Sequence, residues 1–164
     1  MSDFMQNGAI TTLHRLGDRP LEDLEQELHG FAQVRPMTLV LPSLFSELEG
    51  PSLPRIVEDL AKASYLEEIV IGLDQADASQ FEHARRFFDA LPQKKRILWQ
   101  DGPRLRALDA ELASCGLAPP NPGKGRNVWY CFGYTLAAQN GGCVGLHDCD
   151  IVTYDRSIDR KSVV

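Results

Sequence analysis

The sequence predicts an α/β protein whose mainly parallel sheet is covered by helices on both faces. Three observations predict it. Four short apolar runs alternate with longer amphipathic segments along the 164 residues. The clearest runs are continuously apolar rather than alternating, as strands buried on both faces are. Each run stops at Pro42, at Asp74, at Gln100-Asp101-Gly102 or at Asp148. Strand and helix in alternation imply right-handed crossovers and parallel pairing.

The elements follow in order. Leu21, Leu24, Leu28 and Phe31 recur at helical spacing behind Pro20, a helix opener. Met37 to Leu41 is the first buried strand, and Pro42 is expected to end it. Leu53 to Ala63 reads as a helix, with Ser52 as its cap and Pro54 in its first turn. Glu68 to Leu73 is the second strand, Ala78 to Leu91 a helix closed by Pro92, and Arg96 to Trp99 the third strand. Pro103 to Ser114 is a helix closed by Gly116. After a Pro/Gly/Asn loop from Ala118 to Gly125 comes a helix from about Arg126 to Gln139. On it Trp129, Phe132 and Leu136 have core spacing and are expected to pack. Cys143 to His147 is the fourth strand and runs into Asp148-Cys149-Asp150. The expected organisation is a helical extension over 1–36, one domain over 37–155 and a tail over 156–164.

Composition narrows the function classes. At 43% hydrophobic and 24% charged residues the chain is an ordinary globular sequence. Its net charge of −6 excludes broad electrostatic attraction to nucleic acid or anionic lipid. No apolar run approaches the ~18–20 residues of a membrane span. The stretch Met1 to Asn7 has neither the basic nor the apolar region of a signal peptide, so a cytoplasmic location is expected. Cys115, Cys131, Cys143 and Cys149 form no C-x-x-C pair and read as small buried thiols rather than zinc ligands.

In open parallel sheets ligands bind outside the carboxyl ends of the strands, so chemistry is sought in the loops after the strands. Asp148-Cys149-Asp150 places two carboxylates one residue apart at a strand end. Hard oxygen ligands suit Mg²⁺ or Mn²⁺ bridging to a diphosphate, although an ordinary acidic turn has the same pattern. Asn121-Pro122-Gly123-Lys124-Gly125-Arg126-Asn127 leads into a helix. Its glycines admit a close anion, Lys124 supplies a charge and the helix start supplies N–H donors. It has neither P-loop spacing nor a dinucleotide-binding G-x-G-x-x-G, and a solvated loop lysine is the plain alternative. Pro42-Ser43-Leu44-Phe45-Ser46-Glu47 and Asp74 could meet a base or ribose, or be surface groups. His147 is either a metal ligand or a side chain turned to the helix layer.

Taken in order, Pro42-x-x-x-x-Glu47, strand-Asp74, Gly123-Lys124-Gly125 before a helix and Asp148-x-Asp150 resemble the nucleotide-binding half of GT-A glycosyltransferases. Within them the chain looks most like the group of glucosyl-3-phosphoglycerate and mannosylglycerate synthases, with Trp129 following the Gly-Lys-Gly loop. The resemblance runs from Thr38 to Tyr154. It implies a Rossmann-like GT-A fold that binds a nucleotide-diphospho-sugar such as UDP-glucose. It implies Pro42, Ser43, Leu44, Glu47, Asp74, Gly123 and Lys124 as nucleotide-binding residues. Asp74 would hold the uracil or ribose, and Lys124 would contact the base or diphosphate. Asp150, helped by Asp148, would coordinate Mg²⁺ or Mn²⁺. The implied reaction is metal-dependent hexose transfer to a small acceptor such as a phosphoglycerate; a homodimer is compatible with it. The first loop departs from the Pro-Ala-Leu-Asn-Glu form of that group. Acceptor and further catalytic residues lie beyond this stretch in the group, which makes a donor-binding half the expected product of this sequence.

Two other readings stay open at this point. His147-Asp148-Cys149-Asp150-Ile151-Val152 also fits a haloacid-dehalogenase-like phosphatase, with Asp148 as nucleophile and Asp150 as general acid. The same fold could also serve as a nucleotide-sugar-binding module without catalysis.

Overall fold

In the computed structural model, which describes residues 20–138 and 142–154, four parallel strands form one sheet. They are β1 (Met37–Leu44), β2 (Leu66–Asp74), β3 (Lys94–Trp99) and β4 (Cys143–Leu146), in the order β3-β2-β1-β4. Val40 pairs with Val70 on one side and with Leu146 on the other, and Ile71 pairs with Ile97. The expected fold class is the one observed.

Side chains of a strand alternate between faces, and here the two faces meet different helices. Leu39, Leu41, Ile69, Ile71 and Leu73 form the larger core with helices α1 (Leu21–Val34), α2 (Ser52–Leu60) and α3 (Ala78–Phe88). Those helices contribute Leu28, Leu53, Ile56, Leu60, Ala84 and Phe88. Val40 and Val70 face the other way, against Cys131 of helix α5 (Lys124–Ala137). Helix α4 (Pro103–Ser114) is tied to α5 through Asp109, which takes the Tyr130 hydroxyl hydrogen and pairs with Arg126 at 3.0 Å.

The chain builds β1, β2 and β3 outward in one direction. It then returns through α4 and α5 to place β4 on the free side of β1. The order therefore reverses between β1 and β4, and such a switch point is where open α/β sheets hold ligands.

Helix α5 is seated on the sheet by polar contacts. Asn127 is buried and donates from Nδ2 to the Gly72 carbonyl at 2.7 Å. The Tyr134 hydroxyl donates to the buried Glu68 at 3.1 Å. Only glycine fits at position 72, since a Cβ there would lie 1.7 Å from Asn127 Oδ1 and 2.7 Å from Cys131 Sγ. At the start of α3 the capping box is complete: Asp77 Oδ1 accepts from Gln80 N and Gln80 Oε1 from Asp77 N, each at 2.8 Å.

Several expectations are corrected. Pro42 does not end β1, which continues to Leu44. Val40 turns its carbonyl to β4, accepting from His147 N at 3.1 Å. Two residues on, Pro42 turns its hydrogen-free nitrogen to the same side, past the end of β4 at Leu146, so no ladder bond is lost. Trp129, Phe132 and Leu136 do not pack: they are 43%, 39% and 79% exposed. The buried residues of α5 are Asn127, Tyr130, Cys131 and Thr135, and the helix meets the sheet through Asn127, Cys131 and Tyr134. Of the apolar series on α1 only Leu28 is buried; Leu21 and Phe31 are exposed. Ser52 does not cap α2 but is its first residue, with Pro51 at the cap. Helix α5 begins at Lys124, so Lys124 and Gly125 belong to its first turn. Of the four thiols, Cys131 and Cys149 are buried while Cys115 and Cys143 are exposed, and all are free. The expected helix end at Gln139, the stretch 1–19 and the tail over 156–164 lie outside the described residues. Among described residues no helix is long and apolar enough to cross a membrane.

Gly72→Ala should therefore lower stability in urea unfolding by about 1–3 kcal/mol or more. Gly133→Ala, with nothing within 4 Å of the added carbon, should raise it by about 0.5–1 kcal/mol, mid-helix glycine being unfavourable.

Candidate functional site

The carboxyl ends of β1 and β4 lie side by side at the switch point. Beyond β1, Glu47 Oε2 accepts from Leu44 N at 2.8 Å, which closes the short 3-10 helix Phe45–Glu49. Ser43 is buried and its hydroxyl donates to the Leu44 carbonyl at 3.1 Å. Beyond β4, His147 is buried, with Nδ1 2.9 Å from the Tyr154 hydroxyl. That places it against the Tyr154 ring, in the segment after β4.

Cys149 is 2% exposed and turns into the core. Its neighbours Asp148 and Asp150 are half-buried and exposed. The surroundings of the thiol show what converges here. Burial is the main reason its pKa is pushed up to about 12. The negative charge of Glu47 acts next, opposed by a hydrogen bond from Ser43, and Asp148 and Asp150 raise it further. Ser43 near the end of β1 and Glu47 beyond it therefore share one electrostatic neighbourhood with the Asp148/Asp150 pair.

Lys124 enters the same neighbourhood from α5. Gly123 precedes the helix with φ +119°, a conformation that favours glycine, and so aims the first turn. The Lys124 ammonium pairs with Asp148 Oδ1. Both partners are about half exposed, so the pair is screened and exchangeable.

A small polar cleft of about 40 Å³ opens at the start of α5, toward β2 and β3. Asp74, Gln100, Asp101, Pro122, Gly123, Arg126 and Asn127 line it. Asp74 accepts from Gln75 N at 2.9 Å, and Asp101 accepts from Ala76 N at 3.1 Å. Gln100 Nε2 donates to Asn127 Oδ1 at 3.1 Å. Of the sequence candidates, then, Ser43, Glu47, Lys124, Asp148 and Asp150 gather at one place, and Asp74 and Gly123 line the cleft beside it. Pro42 and Leu44 sit in β1 and are not among its lining residues.

Sequence reasoning gave no individual role to Gln100, Asp101, Arg126 or Asn127. The strand-end rule could have found the first two, since both follow β3. The burial of Asn127 has no sequence signal, because it depends on a partner 55 positions away.

Among described residues no three His, Cys, Asp or Glu side chains cluster as a metal cage. Two carboxylates fit a Mg²⁺ or Mn²⁺ ion that completes its shell with substrate phosphate and water.

Comparison with known proteins follows the same line. No family model matches the chain. It is 43% identical over 161 residues to the glucosyl-3-phosphoglycerate synthase of Persephonella marina, covering 98% of this chain and 40% of that protein. The glucosyl-3-phosphoglycerate synthase of Methanococcoides burtonii is 33% identical, with 97% and 39% covered. The chain thus spans about two fifths of these relatives. Among solved structures, the glucosyl-3-phosphoglycerate synthase of Mycobacterium tuberculosis with Mn²⁺, UDP and phosphoglyceric acid aligns over 88% of this chain and 41% of its own, with TM-score 0.52 and 18% identity. The same enzyme with Mn²⁺, UDP and glucosyl-3-phosphoglycerate gives 0.51 at 18% identity, covering 88% and 42%.

The buried thiols yield a prediction. At pH 8 a disulfide reagent should label Cys115 and Cys143 in the native protein, and Cys131 and Cys149 only after unfolding. Both buried thiols are raised from 9.0 to about 12 by burial. Their contribution to stability is present below pH 9 and lost as pH rises from 9 toward 12, because the unfolded chain ionises first. Urea midpoints should fall across that window, and less so in Cys131→Ala.

Over nearly its whole length the chain is similar in sequence to about two fifths of the glucosyl-3-phosphoglycerate synthases of Persephonella marina and Methanococcoides burtonii, and it shares the GT-A fold of the neighbouring structures.

Proposed function

We propose that this chain is the donor-binding part of a glucosyl-3-phosphoglycerate synthase, holding a nucleoside-diphosphate glucose with Mg²⁺ or Mn²⁺ for transfer to 3-phosphoglycerate. One observation carries the reading: the Lys124 ammonium meets Asp148 at the switch point, joining the Gly-Lys-Gly segment to the D-x-D segment. The relatives' names and the Mn²⁺ and UDP of the neighbouring structures support the ligand chemistry.

Asp148 and Asp150 would hold the ion, which when bound neutralises the charge developing on the leaving diphosphate. Lys124 changes partner as the donor arrives, giving up Asp148 and taking a diphosphate oxygen. The exchange is cheap because the pair is already wet. The first turn of α5 turns N–H groups toward the same anion. The nucleoside then extends along the sheet edge into the cleft where Asp74 stands. The buried, protonated Cys149 keeps the strand end in place and adds no charge. The reading carries a cytoplasmic location with it.

Calorimetric titration with UDP-glucose should show affinity that requires Mn²⁺ and that Asp150→Ala and Lys124→Ala each weaken at least about tenfold, about 1.4 kcal/mol. Equal binding by wild type and Asp150→Ala would remove the metal role. Turnover of UDP-glucose with 3-phosphoglycerate separates a transferase from a module that only binds the donor.

A further inference from the structure

The cleft beside the ion pair contains polar atoms that the described fold leaves unused. Gln100 is 6% exposed and lines the cleft, and its Oε1 is buried with no hydrogen-bond partner. Arg126 lines the same cleft, and its Nε is likewise buried and without one. A buried acceptor and a buried donor left unpaired are both unfavourable, and native structures carry few.

Neither atom is free to turn away. Asn127 Nδ2 is committed to the Gly72 carbonyl, so the other end of that amide, Oδ1, must accept. It accepts from Gln100 Nε2 at 3.1 Å and from the Cys131 thiol at 3.6 Å. The Gln100 amide is thereby oriented through a relay that begins at the β2 backbone. Flipping it would set two oxygens against each other, so Oε1 is held as an acceptor. Arg126 is held by Asp109 at 3.0 Å through a terminal guanidinium nitrogen and lies over the Tyr130 ring, while its buried Nε–H has no partner.

We propose that Gln100 is the base-reading residue of the donor site, accepting the ring N–H of a lactam edge while Arg126 Nε–H donates to the carbonyl beside it, with Asn127 as the positioning residue behind Gln100. The proposal rests on the nucleotide-binding reading above. An acceptor paired with a donor matches an N–H next to a C=O, as in uracil. It does not match cytosine, which has a bare ring nitrogen beside its amino group. The two atoms are closed to water in the described conformation, so small side-chain movements at the cleft wall accompany entry of the base. Location agrees with that reading: with a diphosphate at the β1–β4 switch point, the base, one ribose away, would fall toward β2 and β3.

The test titrates the chain, with Mn²⁺ present, with UDP, CDP and UDP methylated at N3. Wild type should prefer UDP over CDP at least about tenfold, and methylation at N3 should reduce affinity to about the CDP level. Gln100→Met, which keeps the volume and removes the amide, should abolish the preference by weakening UDP alone, with the Mn²⁺ requirement retained. Asn127→Ala should lower the UDP/CDP ratio in whatever fraction folds. Undiminished binding of the N3-methylated nucleotide to wild type overturns the proposal without needing any variant to fold. Metal-dependent UDP binding with no preference over CDP also overturns it and leaves the nucleotide-binding reading standing. Failure of wild type to bind any of the three overturns that reading, and the proposal with it.

Discussion

The hydrogen bond from Asn127 Nδ2 to the Gly72 carbonyl is the constraint on which the functional edge depends. It fixes α5 against β2 near its first turn, and everything α5 contributes follows from that anchoring. Lys124, three residues earlier, reaches Asp148 beyond β4, and Arg126 reaches the cleft beyond β2. The bond can form only because residue 72 lacks a side chain, allowing the helix and strand to approach closely. An apolar contact would have seated the helix too, but an amide bonded at both ends also sets its rotation and height.

The edge so assembled is an arrangement of charge. Glu47, Asp148 and Asp150 surround one buried thiol from two different loops, and burial with those charges keeps the thiol neutral. Among the described residues the acids meet solvent with the Lys124 ammonium beside Asp148. Such a surface repels a bare diphosphate and accepts one that brings a divalent cation. That behaviour suits a site meant to bind a metal nucleotide-sugar complex as a unit.

Much of this was legible in the sequence. Continuous apolar runs located β1 and β2, because parallel strands buried on two faces need such runs, and shorter runs located the more exposed edge strands β3 and β4. The strand-end rule pointed to Asp74 and the D-x-D segment, and the Gly-Lys-Gly pattern before a helix pointed to Lys124. What failed depended on contacts distant in sequence. Trp129, Phe132 and Leu136 have core spacing, yet the buried face of α5 is chosen by Asn127, Tyr134 and their strand partners. Pro42 reads as a strand end unless β4 is known to stop short beside it. Gln100 gains significance only through the amide that orients it.

The central claim is that metal and nucleotide meet at the β1–β4 switch point, between the start of α5 and the D-x-D segment. Paramagnetic broadening in the amide NMR spectrum, with sparing Mn²⁺ and saturating UDP, tests it most directly. The account predicts loss of signal first at residues 148–150 and 124–126, with Lys94 and Lys95 at the opposite end of β3 unaffected. Broadening that is the same with and without UDP, or centred on acids away from that edge, would contradict it.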